Sequence, residues 1–237
     1  MARPLEQDPA EHHRNVAGGG PRALVFGASD GLVTNASLIL GFAGAATSPG
    51  VVRLAGFAGL AAGAFSMAAG ELVSMQAQRE LLERELRVER EALAANPDAE
   101  EAELRAIYER KGIEPHLAAD LAKVHMRDPE LALEAHAREE LGVDPRELGS
   151  PWQAAIVSFM AFALGAFLPL VPWLFTGGGV ATWTSIGISA VAATGLGVVL
   201  GYFTGRSMLY SGARSLLVAT AAALATYLIG RAVGVSL

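Results

Sequence analysis

Two acidic residues and a thioether stand in stretches of the chain that are otherwise apolar. Asp30 is followed by Thr34 after one helical turn and by Ser37 after two, so on a helix the three side chains form a polar stripe. Met67 and Glu71 are four residues apart and share a helix face. Acids inside a membrane usually belong to ion or proton pathways. Carboxylates combined with a thioether favour a transition-metal ion over magnesium or calcium.

A second set of metal donors lies in the acidic segment between residues 79 and 150. Donor pairs recur there at spacings of three and four residues, so each pair shares one face of a helix. The pairs are Glu85 with Glu89, Glu100 with Glu103, and His136 with Glu140. Packing these helices against each other could complete a six-ligand site of oxygen and imidazole donors.

The same spacing also suits a solvated helix stabilised by ion pairs. Arg84, Arg87 and Arg90 alternate with acids along the first of these helices. Spacing alone therefore leaves a metal site and an ion-paired surface as open alternatives. A di-iron oxidase is disfavoured, because such centres use Glu-x-x-His pairs, and none of the five histidines follows an acid by three residues.

Charge is distributed very unevenly along the 237 residues. The segment 79–150 holds 19 of the 24 acidic residues and 11 of the 18 basic ones, whereas no Asp, Glu or Lys occurs after residue 150. A soluble domain needs charge over its whole surface, so the second half is predicted to lie in a membrane. The acidic excess of the segment repels phosphate and argues against nucleic acid as a partner. Without cysteine, thiolate ligands and disulfides are excluded.

Five apolar stretches are long enough to cross a bilayer, which requires about 20 residues each. They are residues 23–46, 51–75, 152–175, 180–204 and 210–233. The predicted fold is an all-α integral membrane protein with five transmembrane helices and a cytoplasmic helical insert between helices 2 and 3. The predicted domains are a flexible tail at 1–22, transmembrane helices 1 and 2 at 23–78, an acidic metal-binding insert at 79–150 and helices 3 to 5 at 151–237. In the alternative to a pathway role, Asp30 is a helix cap at the membrane surface.

The insert itself is predicted to be helical throughout. Residues 76–93 contain no Gly or Pro, so the second span is expected to continue out of the bilayer as one long helix. Three further helices follow, one capped by Asp98 and ended by Gly112, one from Pro115 to His125, and one starting at Asp128-Pro129 and closed by Gly142. His116 and His125 are expected on the surface.

The basic residues of the short connections predict the orientation. Arg206 and Arg214 flank the link between spans four and five, and arginines also precede span one, whereas the links 47–50 and 176–179 carry no charge. Arg53 is a weak counter-signal. We therefore expect the N-terminus and the insert in the cytoplasm and the C-terminus on the far side. The compact loops suit a bacterial inner membrane.

Several motifs resemble one known family. Residues 29–41, SDGLVTNASLILG, resemble the first-helix signature of the vacuolar iron transporter family. Further matches, in order, are AGAFSM at 62–67 with GE at 70–71, GIEPH at 112–116 and LPLVP at 168–172. The resemblance covers nearly the whole chain from about Ala23 and indicates a member of bacterial type.

The resemblance implies a five-span homodimer that moves iron(II), and often manganese(II), out of the cytosol in exchange for protons. Asp30 and Met67 match the family's pathway residues near the dimer axis. The matching insert ligands are Glu89, Glu100, Glu103 and Glu140, with His136 where plant members carry methionine. Two departures are Gly59 and Ala92, which stand where some eukaryotic members carry glutamate.

The expected function is therefore divalent metal export by proton antiport, with the metal as substrate, no tightly bound cofactor and no enzymatic activity. The expected partners are a second copy of the chain, membrane lipid, divalent metal ions and protons. A carboxylate binds either a proton or a cation, and this competition is the simplest physical basis for coupled exchange. The alternatives are a membrane-anchored metal sensor or docking module and, less favoured, the di-iron oxidase.

Overall fold

The computed structural model describes residues 20–145 and 149–234, and all regular secondary structure in this part of the chain is helical. The helices are α1 (Gly20–Gly44), α2 (Pro49–Ala95), α3 (Pro97–Arg110), α4 (Pro115–His125), α5 (Pro129–Glu140), α6 (Pro151–Phe175), α7 (Gly178–Thr204) and α8 (Met208–Gly234). The predicted all-α membrane fold with five spans is confirmed. A flexible tail was predicted for residues 1–22. Residues 1–19 lie outside the described residues, and residues 20–22 belong to α1, which begins at Gly20.

The chain separates into two compact units. The membrane unit contains the chain up to Leu72 and from Trp152 onwards, and the insert unit contains Val73–Pro151. The insert predicted for residues 79–150 falls inside the second unit.

Helices α1, α2, α6, α7 and α8 are long and apolar enough to cross a membrane. The most apolar is α6, with a mean hydropathy of 2.3 over 25 residues. At 1.5 Å per residue it is about 37 Å long, which exceeds the roughly 30 Å of a bilayer's hydrocarbon core. Large apolar side chains such as Leu164, Phe175 and Leu209 are exposed on these helices. Such a surface is stable in lipid and unfavourable in water.

Helix α2 is one uninterrupted helix of 47 residues. The predicted continuation of the second span beyond the bilayer is thereby confirmed. Neither Gly nor Pro occurs between Gly70 and Pro97, so nothing in the sequence breaks the helix there. At about 70 Å, α2 is more than twice as long as the hydrocarbon core is thick. Glu89, 40 residues after Pro49, therefore lies outside the bilayer.

Helices α3, α4 and α5 each carry a proline in the first turn. Backbone N–H groups of the first turn have no acceptor within the helix, so the missing N–H of proline costs no hydrogen bond there. The predicted cap of α5 is confirmed, because the Asp128 carboxylate accepts a hydrogen bond of 2.9 Å from the backbone N–H of Glu130. The predicted cap of α3 is wrong. That helix starts at Pro97, so Asn96 is the cap residue and Asp98 lies in the first turn.

In the membrane unit, glycines let the backbones of α1 and α6 come into direct contact. A Cβ added at Gly165 of α6 would lie 2.0 Å from the carbonyl oxygen of Ala28. A Cβ added at Gly31 of α1 would lie 2.1 Å from the carbonyl oxygen of Phe162. These distances leave no room for a side chain. Small residues at such crossings are the usual means by which membrane helices associate closely.

Buried polar side chains add hydrogen bonds between the same spans. Asn35 of α1 is fully buried, and its Nδ2 donates to the carbonyl oxygen of Ala166 on α6 at 2.6 Å. Ser185 of α7 donates to the carbonyl oxygen of Pro169 on α6 at 2.7 Å. Each bond satisfies a polar group that apolar surroundings would otherwise leave without a partner. Together they fix α6 against α1 and α7.

We expect Gly165→Ala to lower the unfolding temperature, because its Cβ forces α1 and α6 apart. Overpacking of this kind costs about 1–3 kcal/mol. Gly187→Ala is the matched control, since a Cβ at Gly187 of α7 meets no atom within 4 Å. Both variants are compared with the wild type by circular dichroism during heating in one detergent. Equal unfolding temperatures for all three proteins would contradict the close contact of α1 and α6.

Candidate metal site

His136 is the centre of a carboxylate cluster in the insert unit. Its side chain is fully buried, and its Nδ1 lies 2.6 Å from Oε1 of Glu140, 3.1 Å from Oε1 of Glu89 and 3.9 Å from Oε2 of Glu100. Glu89, Glu100 and His136 offer ligand atoms that all lie within 4.8 Å of one another, close enough to share one metal ion. They form the one such group of three in residues 20–145 and 149–234. Glu89, Glu100, His136 and Glu140 are together called the His136 cluster below.

The cluster draws its residues from three helices that α5 holds together. Glu89 comes from α2, Glu100 from α3, and the other two members from α5. On one side of His136, Ala135 packs into an apolar group with Leu104 of α3. On the other side, Ala137 packs into a group with Leu86 of α2. Because α5 is wedged between these two cores, the side chain of His136 lies where α2 and α3 present their carboxylates.

Helix α4 supports α3 and supplies no member of the cluster. Its Ala118 and Ala122 pack against Tyr108 of α3. The expectation that His125 lies on the surface is wrong, because packing of the last turn of α4 on α3 leaves it half-buried. Its Nδ1 lies 2.9 Å from the carbonyl oxygen of Leu121 and 3.4 Å from the hydroxyl of Tyr108. Burial raises the pKa of Tyr108.

The acids of the insert divide into two sets according to their partners. One set is paired with Arg or Lys, in the pairs Arg79–Glu83, Arg84–Glu85, Arg105–Glu109, Lys111–Glu139 and Arg138–Glu134. In the other set, the ion pairs recorded for Glu89, Glu100 and Glu140 all involve His136. The ion-paired surface left open by the sequence therefore occurs for the first set of acids, and the second set lies outside it. Metal ligation by the second set stays a prediction.

Two predicted ligands of the insert, Glu85 and Glu103, lie outside the His136 cluster. Glu85 stands one turn before Glu89 on α2, and its carboxylate is 3.4 Å from a guanidinium nitrogen of Arg84. An ion pair at the helix surface accounts for this acid. Glu103 is exposed on α3, one turn after Glu100, and its charge contributes to the raised pKa of Glu89. It is therefore a fourth carboxylate near the cluster.

The electrostatics of the cluster favour the arrival of a cation. Burial raises the pKa of Glu89 above its ordinary value of 4.5, His136 opposes this shift, and the neighbouring carboxylates Glu140, Glu100 and Glu103 reinforce it. Glu89 Oε1 and His136 Nε2 are buried without a hydrogen-bond partner among the described residues. A buried polar atom left without a partner costs free energy. Oxygen donors with one imidazole suit divalent metals such as iron(II), manganese(II), cobalt(II) and zinc(II).

Asp30 lies inside α1, ten residues after Gly20, so the alternative that it caps a helix is wrong. Its side chain is exposed, and Thr34 Oγ1 lies 3.5 Å from its Oδ1. Thr34 is exposed on the same face, whereas Ser37 is buried. Of the polar stripe predicted for the first span, Asp30 and Thr34 are therefore exposed and Ser37 is buried.

Met67 and Glu71 are both half-buried on α2. Met67 packs against the apolar group that contains Phe162 of α6. It therefore contributes to the core of the membrane unit as well as being a predicted ligand. The described part of the membrane unit holds no group of three His, Cys, Asp or Glu donors like that of the insert. Asp30, Met67 and Glu71 stay predictions as ligands of the pathway.

Asn35, one turn after Gly31, is a buried polar residue that the motifs and spacings did not single out. Its Oδ1 is buried without a hydrogen-bond partner among the described residues. A Cβ added at Gly59 would lie 2.8 Å from this oxygen. Gly59, which stands where some eukaryotic family members carry glutamate, therefore lies beside a buried amide oxygen inside the membrane unit. Asn35 could have been found in the sequence, because it is an amide side chain within an apolar span, where a polar group needs a partner.

Fold and site together define a class, an integral membrane protein with five spans and an acidic helical insert that carries a cluster of metal-donor side chains. Comparison with known families agrees, since the model of the VIT family matches residues 21–231. The chain belongs to the VIT family. The resemblance to vacuolar iron transporters that the sequence motifs indicate is thereby confirmed.

Named relatives of the family match over most of their length. The chain is 31% identical over 239 residues to vacuolar iron transporter 1 of Oryza sativa subsp. japonica, covering 97% of this chain and 95% of the relative. It is 31% identical over 234 residues to vacuolar iron transporter 1 of Arabidopsis thaliana, covering 97% and 94%. It is 35% identical over 206 residues to the vacuolar iron transporter of Acanthamoeba castellanii, covering 84% and 74%.

These relationships decide between the classes of function left open by the sequence. Members of the family are transporters and not enzymes, so the prediction of a non-enzyme is confirmed and the di-iron oxidase is rejected. Metal transport is the function that the named relatives support.

The raised pKa of Glu89 predicts how pH acts on the metal-free protein. The folded state favours the protonated carboxyl, so its stabilising contribution is present below about pH 4.5 and is lost as pH rises through the folded-state pKa. Glu89→Gln never ionises. With a chelator present, the unfolding temperature of Glu89→Gln is therefore expected to exceed that of the wild type at pH 7.5, where the wild-type carboxyl is ionised. At pH 4.5 the two unfolding temperatures should be closer.

Glu80→Gln is the control for this measurement, because it removes the same charge from an exposed position of α2. Heating curves are recorded by circular dichroism on the whole protein in detergent. Added manganese(II) should reverse the order of Glu89→Gln and the wild type at pH 7.5, since only the wild type keeps all its ligands. A Glu89→Gln curve that follows the wild type at both pH values would contradict the assigned shift.

Proposed function

We propose that the chain is an antiporter that moves iron(II), and also manganese(II), out of the cytosol in exchange for protons. The observation that carries this proposal is the His136 cluster, where three carboxylates surround a buried imidazole without a recorded Arg or Lys partner. In the same insert, other acids are neutralised by basic residues. The cluster is thus the place in the insert where a divalent cation meets negative charge that is not already balanced.

Proton exchange follows from the same groups. A carboxylate must lose its proton before it binds a metal, so protons and metal ions compete for each oxygen. Glu89 has a raised pKa and therefore holds its proton at higher pH than an ordinary carboxyl. Metal binding at the cluster then releases protons on the cytosolic side. In the membrane, Asp30 is the acid for which a metal ion and a proton compete.

Asp30 also supports a homodimer. An exposed carboxylate on an apolar span costs at least a few kcal/mol if it faces lipid. A second copy packed through the face of Asp30 and Thr34 removes both side chains from lipid and brings two carboxylates towards one ion. Met67, and Glu71 one turn further along α2, add thioether and carboxylate donors to this pathway. In this arrangement the insert gathers the metal and the paired spans conduct it.

The orientation that this direction of transport requires agrees with the basic residues. Arg206 and Arg214 lie at the end of the membrane unit where α7 ends and α8 begins. The links at the opposite end of the spans, 45–48 and 176–177, carry no charge. Basic residues concentrate on the cytoplasmic side of membrane proteins. We place the N-terminus in the cytoplasm, the C-terminus on the far side, and the protein in a bacterial inner membrane.

Transport is tested in proteoliposomes that contain a pH-sensitive dye. We expect external iron(II) or manganese(II) to enter and the interior to become more alkaline as protons leave. Asp30→Asn keeps the shape of the side chain and removes the carboxylate, so uptake and the pH change should both be lost. Glu100→Gln should reduce uptake at low metal concentration, because it weakens metal capture by the insert.

Glu80→Gln is the matched control for Glu100→Gln, since it changes an exposed acid of the insert outside the cluster. Its uptake should equal that of the wild type. Uptake without any change in internal pH would show that proton exchange is wrong. Failure of the folded wild-type protein to take up either metal would instead favour a sensor or docking module.

A further inference from the structure

Two adjoining cavities run between α1, α7 and α8 in the membrane unit. The smaller has a volume of about 320 Å³, the larger about 720 Å³, and both are lined by Leu32 and Val33. Along α1, the smaller reaches Val25, close to the start of the helix, and the larger reaches Ala43, close to its end. At 1.5 Å per residue, these two residues are about 27 Å apart along the helix axis. The two cavities together form a slot that follows α1 across the membrane.

The wall of the smaller cavity is apolar except at a few positions. Leu196, Leu200 and Val218 contribute apolar surface, whereas Ser29, Ser215 and Arg214 contribute polar groups. Arg214 is the one charged residue in this wall. An apolar slot with a cation in its wall is complementary to a molecule that has a hydrocarbon chain and a negative head.

Arg214 has no carboxylate within ion-pair distance among the described residues. The sequence after residue 150 contains no Asp or Glu, so α7 and α8 cannot supply one. The recorded contact of its guanidinium is with the ring of Tyr210, whose centroid is 6.0 Å from Cζ. A cation over an aromatic face is weakly stabilised, and its N–H donors still require acceptors.

Arg214 lies near the first end of α8, from which a long side chain can reach the headgroup region of a bilayer. It stands six residues after Met208, about 9 Å along α8. Its guanidinium lies near Tyr210, one turn closer to the start of the helix. Arginine side chains near the ends of spans extend towards the interface in this way, and tyrosine is enriched at that depth. Phosphate groups of lipids are the anions available there.

We propose that this slot binds one anionic phospholipid, with its phosphate at Arg214 and one acyl chain in the apolar cavities. A chain within one leaflet extends about 15 Å, half of the hydrocarbon core, and the slot is long enough to hold it. A lipid with net negative charge balances the arginine, which a zwitterionic lipid does less well. A second copy of the chain packed over the slot would instead enclose the cation among apolar helices.

Native mass spectrometry of the whole protein in detergent tests this site. Phosphatidylglycerol and phosphatidylcholine with identical acyl chains are titrated separately, and the bound lipids are counted. We expect Arg214→Gln to weaken phosphatidylglycerol binding at least about tenfold, as loss of a charge-assisted hydrogen bond does. Val218→Phe should weaken it as well, because the larger ring fills the smaller cavity while Arg214 is kept. Val218 is exposed, so the fold is retained.

Arg231→Gln is the matched control, since Arg231 lies in the last turn of the same helix and lines neither cavity. It should bind phosphatidylglycerol like the wild type. Three results would overturn the proposal: equal binding by the wild type and Arg214→Gln, equal binding of the two lipids, or equal losses in Arg214→Gln and Arg231→Gln. A wild-type dimer that binds no phosphatidylglycerol, and comes apart in Val218→Phe, would assign the slot to a second copy. The measurement involves neither metal nor transport, so it is independent of the proposed function.

Discussion

The central constraint in this protein is that negative charge surrounds a buried histidine. Helices α2, α3 and α5 each place carboxylates against His136, and no Arg or Lys is recorded as their partner. Neighbouring carboxylates repel one another and raise the pKa of Glu89, so a bound proton or a bound cation stabilises the arrangement. The two apolar cores on either side of α5 supply the packing that opposes this repulsion. These properties are the ones that the proposed exchange of protons for metal ions requires.

The membrane unit meets a different constraint with different means. Its helices have no water to drive their association, so they rely on close backbone contact and on hydrogen bonds between spans. Gly31 and Gly165 bring α1 against α6, and the amide of Asn35 ties the same pair together. Helix α1 is thereby fixed while it presents Asp30 on its exposed face. The proposed pathway depends on this placement, because it requires a carboxylate held rigidly in an apolar surface.

Much of the fold could be predicted from the sequence, because hydropathy and helix-breaking residues are local signals. The long apolar stretches marked the spans, and the absence of Gly and Pro after Gly70 marked the long helix α2. The cap of α3 was misplaced by two residues, because Asn96 and Asp98 flank the same proline and both residue types favour caps. His125 was misjudged because its burial depends on how α4 packs on α3, which the sequence does not state.

The candidate site could be predicted only in part. Spacing identified the pairs Glu100 with Glu103 and His136 with Glu140, but three- and four-residue spacing is the same for metal ligands and for ion pairs. Whether an acid meets an arginine or the histidine depends on the position of α5 between two cores, which is a tertiary property. Glu85 illustrates the difference, since it shares a face with Glu89 yet pairs with Arg84. Among the acids of the insert, the resemblance to the family pointed to Glu89, Glu100, Glu103 and Glu140 as metal ligands.

The most direct test of the account is metal binding by the His136 cluster. The whole protein in detergent is titrated with cobalt(II), and X-ray absorption then identifies the atoms around the metal. We expect an imidazole nitrogen among carboxylate oxygens. His136→Ala should lose this nitrogen and at least about tenfold of the affinity for cobalt(II). His116→Ala, which alters an exposed histidine, should keep both. Unchanged affinity and an unchanged metal environment in His136→Ala would contradict the account.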